Sequence, residues 1–487
     1  MKHLRLFDKE IDFESVKNSL ELPWVSLVEE TKKVHYMYSY KPNTSVYYKI
    51  EDNTLYIRGT KQEGYSERVL YTDATAAKNG WYSASNKAQI TKAVIEEVIS
   101  PTSCVRFFDG MSGMTTIENI ENLKMDNATS MRTMFQACKA LTSIGDISDW
   151  NVGNVTDMSY MFSQCNVLTS IGDLSNWNVA NVTTMYAMFN NCNTLASVGN
   201  LDKWDVRKTT DMAGMFSGCK VLTSVGDLSN WNVGNVTNMM WMFNNCNALT
   251  SVGNLDNWNV TNVTDMMWMF SDCKVLTSVG NLDNWNVVNV KNMHSMFNNC
   301  NALTSVGNLD NWNVTNVTDM SYMFNSDGPN PLILTSIGDI SGWNVANVTD
   351  MSYMFRGCTS LDELNLSSWN TSKVTTMYEA FSNFNAWNKY TDFSIPKINV
   401  PPIPKNCNVD HAFSFDYSLT TIESSGKISK SLNFQWSPLT HDSAMVLINA
   451  LDSENTGTLT LSTATKETLS EEEIAIATDK GWTIASA

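Results

Sequence analysis

Residues 222–247 read LTSVGDLSNWNVGNVTNMMWMFNNCN. Leu222, Val225, Leu228 and Trp231 lay out an extended segment with one apolar face. Val236, Met239, Met242, Phe243 and Cys246 follow at steps of three, three, one and three, which is a helical stripe. The stretch predicts a short strand, a turn and a short helix, none able to bury its apolar face alone. Its neighbours supply the cover. Trp recurs at 150, 177, 204, 231, 258, 285, 312, 343 and 369, mostly 27 residues apart. Met-Phe pairs hold one phase from Met134-Phe135 to Met354-Phe355, and Ala380-Phe381 and Ala412-Phe413 continue it in degenerate form. A fixed period of this length marks a solenoid. Rungs stacked at about 4.8 Å merge their apolar faces into one core. The expected class is an α/β solenoid, whose long repeated surface suits binding better than catalysis.

Two departures from the period are informative. Leu361, Leu364, Leu366 and Trp369 follow the leucine-rich-repeat pattern LxxLxLxxW. The 27-residue rungs instead read LxxVGxLxxW, and the added glycine predicts a bulge or kink in each. One rung has 31 residues, and its Pro and Gly at 325–333 predict an excursion loop.

The chain of 487 residues has room for two or three domains. Its net charge is −17, and residues 1–100 balance 14 basic against 14 acidic side chains, so the acidic excess lies in the remainder. An acidic solenoid argues against nucleic acid and anionic membranes as partners. No apolar run reaches membrane-spanning length, and MKHLRLFDKEIDFE at the start has no apolar signal-peptide core. Eight of the ten Cys share one repeat phase, from Cys138 to Cys358, with no CxxC. That column reads as buried, reduced thiols; one Cys per rung does not build a tetrahedral metal site.

Three parts are expected. Residues 1–100 form a β-rich docking module. Its aromatic runs are separated by turns at Pro42-Asn43 and Asp52-Asn53, and a helix from about Asn86 to Val98 closes it. Tyr36, Tyr38, Tyr40, Tyr47 and Tyr48 serve as core or as a docking face. Residues 101–425 form the solenoid. Residues 426–487 read strand, helix, strand, helix, strand and cap the last rung, with a capping box at Ser470–Glu473.

The string WNVxNVTDMSYMFxxC stands at Trp150 to Cys165, with close copies at Trp312 to Phe324 and Trp343 to Cys358. It resembles the repeat of BspA-like leucine-rich repeat proteins, over roughly residues 125 to 385 and nine copies. The resemblance implies a BspA-like solenoid with 27-residue rungs and a bacterial cell-surface adhesin. PWVSLVEETKKVHY (23–36) and LSEEEIAIATDKGWTIA (469–485) resemble segments of structural proteins from Bacteroidales-infecting, crAss-like phages. They imply a virion protein that meets a host surface and needs no secretion signal.

Nothing points to catalysis. The five His neither pair nor repeat, and no nucleophile elbow, P-loop or dinucleotide fingerprint occurs. No cofactor or metal is expected. Six Asn-Val-Thr sequons, at Asn154, Asn181, Asn235, Asn262, Asn316 and Asn347, read as capping residues copied by the repeat. Two surfaces could hold a ligand. One is the polar column Asp146, Asp173, Asn200, Asp227, Asn254, Asn281, Asn308 and Asp339, beside Asp202, Asp256, Asp283 and Asp310. The other is the variable aromatic stripe of Tyr160, Tyr186, Trp241, Trp268, Tyr322 and Tyr353. The expected role is that of a non-enzymatic virion protein. Its N-terminal module holds other virion proteins, and its repeats bind a host-surface glycan or protein. A bacterial adhesin and an intracellular scaffold are the alternatives; oligomeric state stays open.

Overall fold

The computed structural model describes residues 40–73, 78–326, 331–382 and 395–487, and the backbone of four strands before them. Those four pair as antiparallel hairpins, β1 (His3–Leu6) with β2 (Lys9–Asp12) and β3 (Val25–Glu30) with β4 (Lys33–Tyr38). The side chains of Tyr36 and Tyr38 lie outside the described residues, as does the tip of the loop at 325–333.

A five-stranded mixed sheet follows: β5 (Ser45–Glu51), β6 (Thr54–Arg58), β7 (Ser66–Val69), β8 (Lys92–Ile95) and β9 (Thr116–Glu118), in the order β7-β5-β6-β8-β9. Asp52 and Asn53, both at positive φ, join β5 to β6 as a two-residue hairpin turn of the kind that matches strand twist. Tyr40, Tyr47 and Tyr48 are half-buried, and Tyr48 packs edge-on against Trp81 at 5.1 Å. The helix expected from Asn86 to Val98 is absent. A single 3-10 turn at Lys87–Gln89 gives way to β8, where Ala93 and Ile95 are buried and Lys92 and Val94 are not. The period there is two, and parallel pairing with β6 and β9 fixes it. The sheet crosses residue 100, since β9 lies beyond it.

From Ser130 onward residues 27 apart meet as parallel bridges: Asp157 with Thr184, Thr184 with Asp211, Asp211 with Asn238, Asn238 with Asp265. A second corner bridges Ser224 with Ser251 and Ser278 with Ser305. Between corners the chain arcs rather than coils. Among the described residues no α-helix lies in these rungs, so the α half of the expected α/β rung is corrected. The cause is where the amides point. Met239, Trp241, Phe243 and Asn245 donate their N–H groups to carbonyls of Asp265, Met267, Met269 and Ser271 in the next rung, at 2.8–3.1 Å. Trp241 and Asn245 sit at φ of 59° and 57°, which no right-handed helix accommodates. The stripe of Met239, Met242, Phe243 and Cys246 is buried all the same.

The glycines behave as kinks. Gly226 has φ of 87°, and the strand corner beside it shrinks to one bridge residue. The rung without that glycine forms a longer ladder, β10 (Glu363–Asn365) beside β11 (Lys397–Asn399). Past it, bridges from Ile403 to Ile428 and from Ile428 to Leu451 carry the same stacking into the C-terminal part. There β12 (Leu432–Phe434), β13 (Gly457–Leu461) and β14 (Trp482–Ser486) are parallel. True helices replace the arcs: α1 (His441–Ala450), the short α2 (Thr463–Lys466) and α3 (Glu471–Asp479). Ser470 and Glu473 form the capping box. One apolar core runs from Val46 to Ile484.

Columns hold the rungs together. Trp rings from Trp150 to Trp369 stack at 6.2–6.5 Å. Each indole from Trp177 on donates to a carbonyl of the preceding rung, as Trp231 does to Leu201 at 2.8 Å. Cys thiols do likewise, Cys246 donating to the Phe216 carbonyl at 3.1 Å.

Candidate binding surface

The arc places one stripe of side chains outward at each rung. Tyr160, Trp241, Trp268, Tyr322 and Tyr353 occupy one phase, all at φ between 54° and 60°. Bulky residues rarely adopt that conformation, and the repeat imposes it on whatever it carries there. Tyr186 sits one residue earlier in its rung. The rings nevertheless meet. Tyr160 and Tyr186 touch edge to face at 5.0 Å, Trp241 and Trp268 stack at 5.6 Å, and Tyr322 and Tyr353 stack at 4.4 Å.

The sequence reading missed three members. His294 bridges Trp268 and Tyr322 at 5.4 and 5.6 Å, and Tyr378 and His411 extend the ladder at 5.3 and 6.0 Å. Seven rings are thus continuous from Trp241 to His411; six are half-buried and His411 is exposed. Part of the signal was available: His411 holds the phase of Tyr353 in its degenerate rung, while Tyr378, like Tyr186 and His294, stands one residue earlier. Ala213 and Gly214 interrupt the ladder and leave Tyr160–Tyr186 as a separate pair.

Polar groups flank the rings. Asp211, Asp265, Asp319 and Asp350 precede the ladder phase by three residues, and each accepts the N–H two residues on. Burial pushes the carboxyls of Asp211 and Asp265 up from the usual range. The phenols of Tyr160 and Tyr353 are pushed up to about 12, chiefly by burial, so both rings are neutral at physiological pH. His294 Nδ1 lies 2.6 Å from Ser321 Oγ. At the C-terminal end Arg356 and Glu379 pair at 3.1 Å, and the guanidinium lies 5.4 Å from the Tyr353 ring.

The polar column on the other face has a structural task. Asp146, Asp173, Asp227 and Asp339 accept the N–H groups of Ser148, Ser175, Ser229 and Ser341 at 2.9–3.0 Å. Asn200, Asn254, Asn281 and Asn308 accept those of Asp202, Asp256, Asp283 and Asp310 at 3.1–3.2 Å. All remain exposed. The sequon asparagines are tied down too, as Asn262 Nδ2 donates to the Gly234 carbonyl at 2.7 Å. Among the described residues no group of three or more His, Cys, Asp or Glu is placed to hold a metal ion, and no helix is long and apolar enough to cross a membrane.

The family described as "Mycoplasma protein of unknown function, DUF285" matches residues 102–226, 210–331 and 307–399, together more than half of the chain. The chain belongs to the DUF285 family. This DUF285 protein is similar to a solved leucine-rich repeat protein from Bacteroides ovatus, at 17% identity and a TM-score of 0.26 over 80% of this chain and 93% of that one. It is also similar to a leucine-rich cell surface protein from Faecalibacterium prausnitzii, at 14% identity and a TM-score of 0.20 over 74% and 93%. No curated protein matches it.

Proposed function

We propose that this chain is a non-enzymatic recognition protein whose aromatic ladder binds a host-surface polymer, glycan or protein. The observation that carries the reading is the continuity of seven rings from Trp241 to His411 with carboxylates alongside. Each rung offers a ring edge and one or two oxygens, so a single contact is weak. A polymer that engages successive rungs gains by multivalency. The acidic excess disfavours anionic polymers. The BspA-like repeat supports display on a bacterial surface as an adhesin. The segments at 23–36 and 469–485 support display on a virion, with the N-terminal residues holding other virion proteins.

The test is binding of the labelled full chain to whole host cells by flow cytometry. Trp268→Ala should weaken binding modestly and Trp268→Ala with Tyr322→Ala much more. Gly214→Tyr should strengthen it by joining the two ladder segments. Replacing Asp227 and Asn254 probes the opposite face. Binding indifferent to the ring pair would remove the recognition reading. Finding the protein in purified particles, rather than on intact bacteria, separates virion from adhesin.

A further inference from the structure

Among the described residues the rung stack parts beside the corner that ends at Ile340. The glycine-kinked corner Thr335–Ile340 faces the straight β10 of the next rung, and the two backbone shapes do not match. Before it, the Leu309 N–H reaches the Ile337 carbonyl at 2.9 Å; after it, β10 pairs with β11. Across the seam no backbone hydrogen bond joins 335–340 to 361–365 among the described residues. The other corners stay closed. Trp343 stacks on Trp369 at 6.3 Å, and Asp350 bridges Thr376. The result is a cleft of about 370 Å³ between the kinked corner and the outer edge of β10, at the lower end of the roughly 300–1,000 Å³ of ligand pockets.

The lining is acceptor-rich. Asp339, Asp362 and Glu363 stand on its two walls with Asn365, over a floor that includes Ile337 and Leu364, and no lysine or arginine lines it. Earlier in the column each such oxygen stands over the next rung's glycine, as Asp173 does over Gly199. The rung after Asp339 reads LDELNL and has no glycine to cover, so this carboxylate is left at the cleft. Lys397 holds Glu363 at 3.0 Å but shares its charge with Glu423 at 2.8 Å.

We propose that this seam receives an arginine-bearing extended segment of a partner protein. The guanidinium would fork onto the carboxylates, and the segment's main chain would use the open edge of β10. Charge complementarity singles out this occupant: the walls offer acceptors, and a guanidinium offers five donors and no acceptor. The site is independent of the aromatic ladder.

The experiment uses the full chain and a labelled hexa-arginine peptide, followed by fluorescence polarisation, with a Gly-Ser hexapeptide as the uncharged probe. Asp339→Asn with Asp362→Asn and Glu363→Gln should weaken hexa-arginine binding about tenfold or more, as losing one charge-assisted bond implies. Asn already holds the place of Asp339 in other rungs, so the fold should tolerate the change. Asp362→Asn alone, at an exposed residue, is the milder second variant and should weaken binding in part. Asp202→Asn with Asp256→Asn and Asp283→Asn removes the same charge elsewhere and should change binding less than about twofold. Equal weakening by the two triple variants, equal binding of the Gly-Ser peptide, or no hexa-arginine binding at all would overturn the assignment.

Discussion

The carboxylate of Asp173 occupies the place where a side chain on Gly199 would begin: a Cβ there would lie 1.9 Å from Oδ1. The same relation joins Asn200 to Gly226 and Asp227 to Gly253, each at 1.9 Å. The glycine and the polar column are therefore one device. Left-handed backbone makes the kink, and the missing Cβ makes room for the preceding rung's Asx cap.

Two glycines make a matched pair. Gly226→Ala meets both the Asn200 oxygen and a φ of 87°, so it should cost about 3 kcal/mol or more. Gly214→Ala, at φ of 61°, meets no atom closer than 3.9 Å and should cost about 1–2 kcal/mol. Urea unfolding of the two variants gives the comparison. Equal midpoints would mean that the column does not enforce the glycine.

Much of this was legible because repetition amplifies weak signals. One Trp says little, but nine in phase locate the core column. The hairpin turn at Asp52-Asn53 and the box at Ser470 and Glu473 were readable from local chemistry alone. The arc was not. Val236, Met239, Met242 and Cys246 bury a stripe at helical spacing whether the N–H groups bond within the segment or to the next rung. Only the second choice fits αL residues at 241 and 245, and sequence does not announce it. The ladder was half seen for a related reason: His294 and Tyr378 stand one residue before the phase and look like exceptions until the stacking places them between rings.

The Cys column should be chemically silent in the folded state. Burial pushes the thiols of Cys165 and Cys219 up to about 12, and each donates to a carbonyl of the rung before. Thiolate is the reactive form, so native protein should resist iodoacetamide at pH 8. Denatured, unreduced protein should titrate close to ten thiols. Cys246→Ala should cost about 1–2 kcal/mol. Rapid native labelling or a denatured count near zero would refute this account.

Acid should loosen the C-terminal part first. Lys427 at 2.9 Å, with Ser429, the Glu454 N–H and Asn455, holds the Asp452 carboxyl well below the usual range. A carboxyl depressed in the folded state stabilises above its unfolded pKa, about 3.9, and that contribution fades as pH falls through the folded value. Asp452→Asn should lower stability at pH 7 and flatten the acid limb of the stability profile. Melting temperatures from pH 7 down to pH 2 report it, and an unchanged acid limb would assign the acid sensitivity to other groups.

The N-terminal part should prove inseparable at residue 100. β8 pairs with β9 across that boundary, and Asn43 bridges Pro101. Arg68, buried, donates to the carbonyls of Val105, Arg106 and Phe107, with its guanidinium 4.1 Å from the Trp81 ring. Trp81 packs on Phe107 at 5.1 Å, and Phe107 on Phe108, which begins the Phe column by stacking on Phe135 at 5.3 Å. Residues 40–100 thus cover the first rung, the task that solenoid ends require. Removing 1–100 would bare Phe107, Phe108 and the edge of β9, so that truncation should melt several degrees lower and associate on a sizing column. Removing 1–39 tests whether those residues attach the protein to its assembly. A monomeric, equally stable chain lacking residues 1–100 would show that the five-stranded sheet is an appendage and not the cover of the stack.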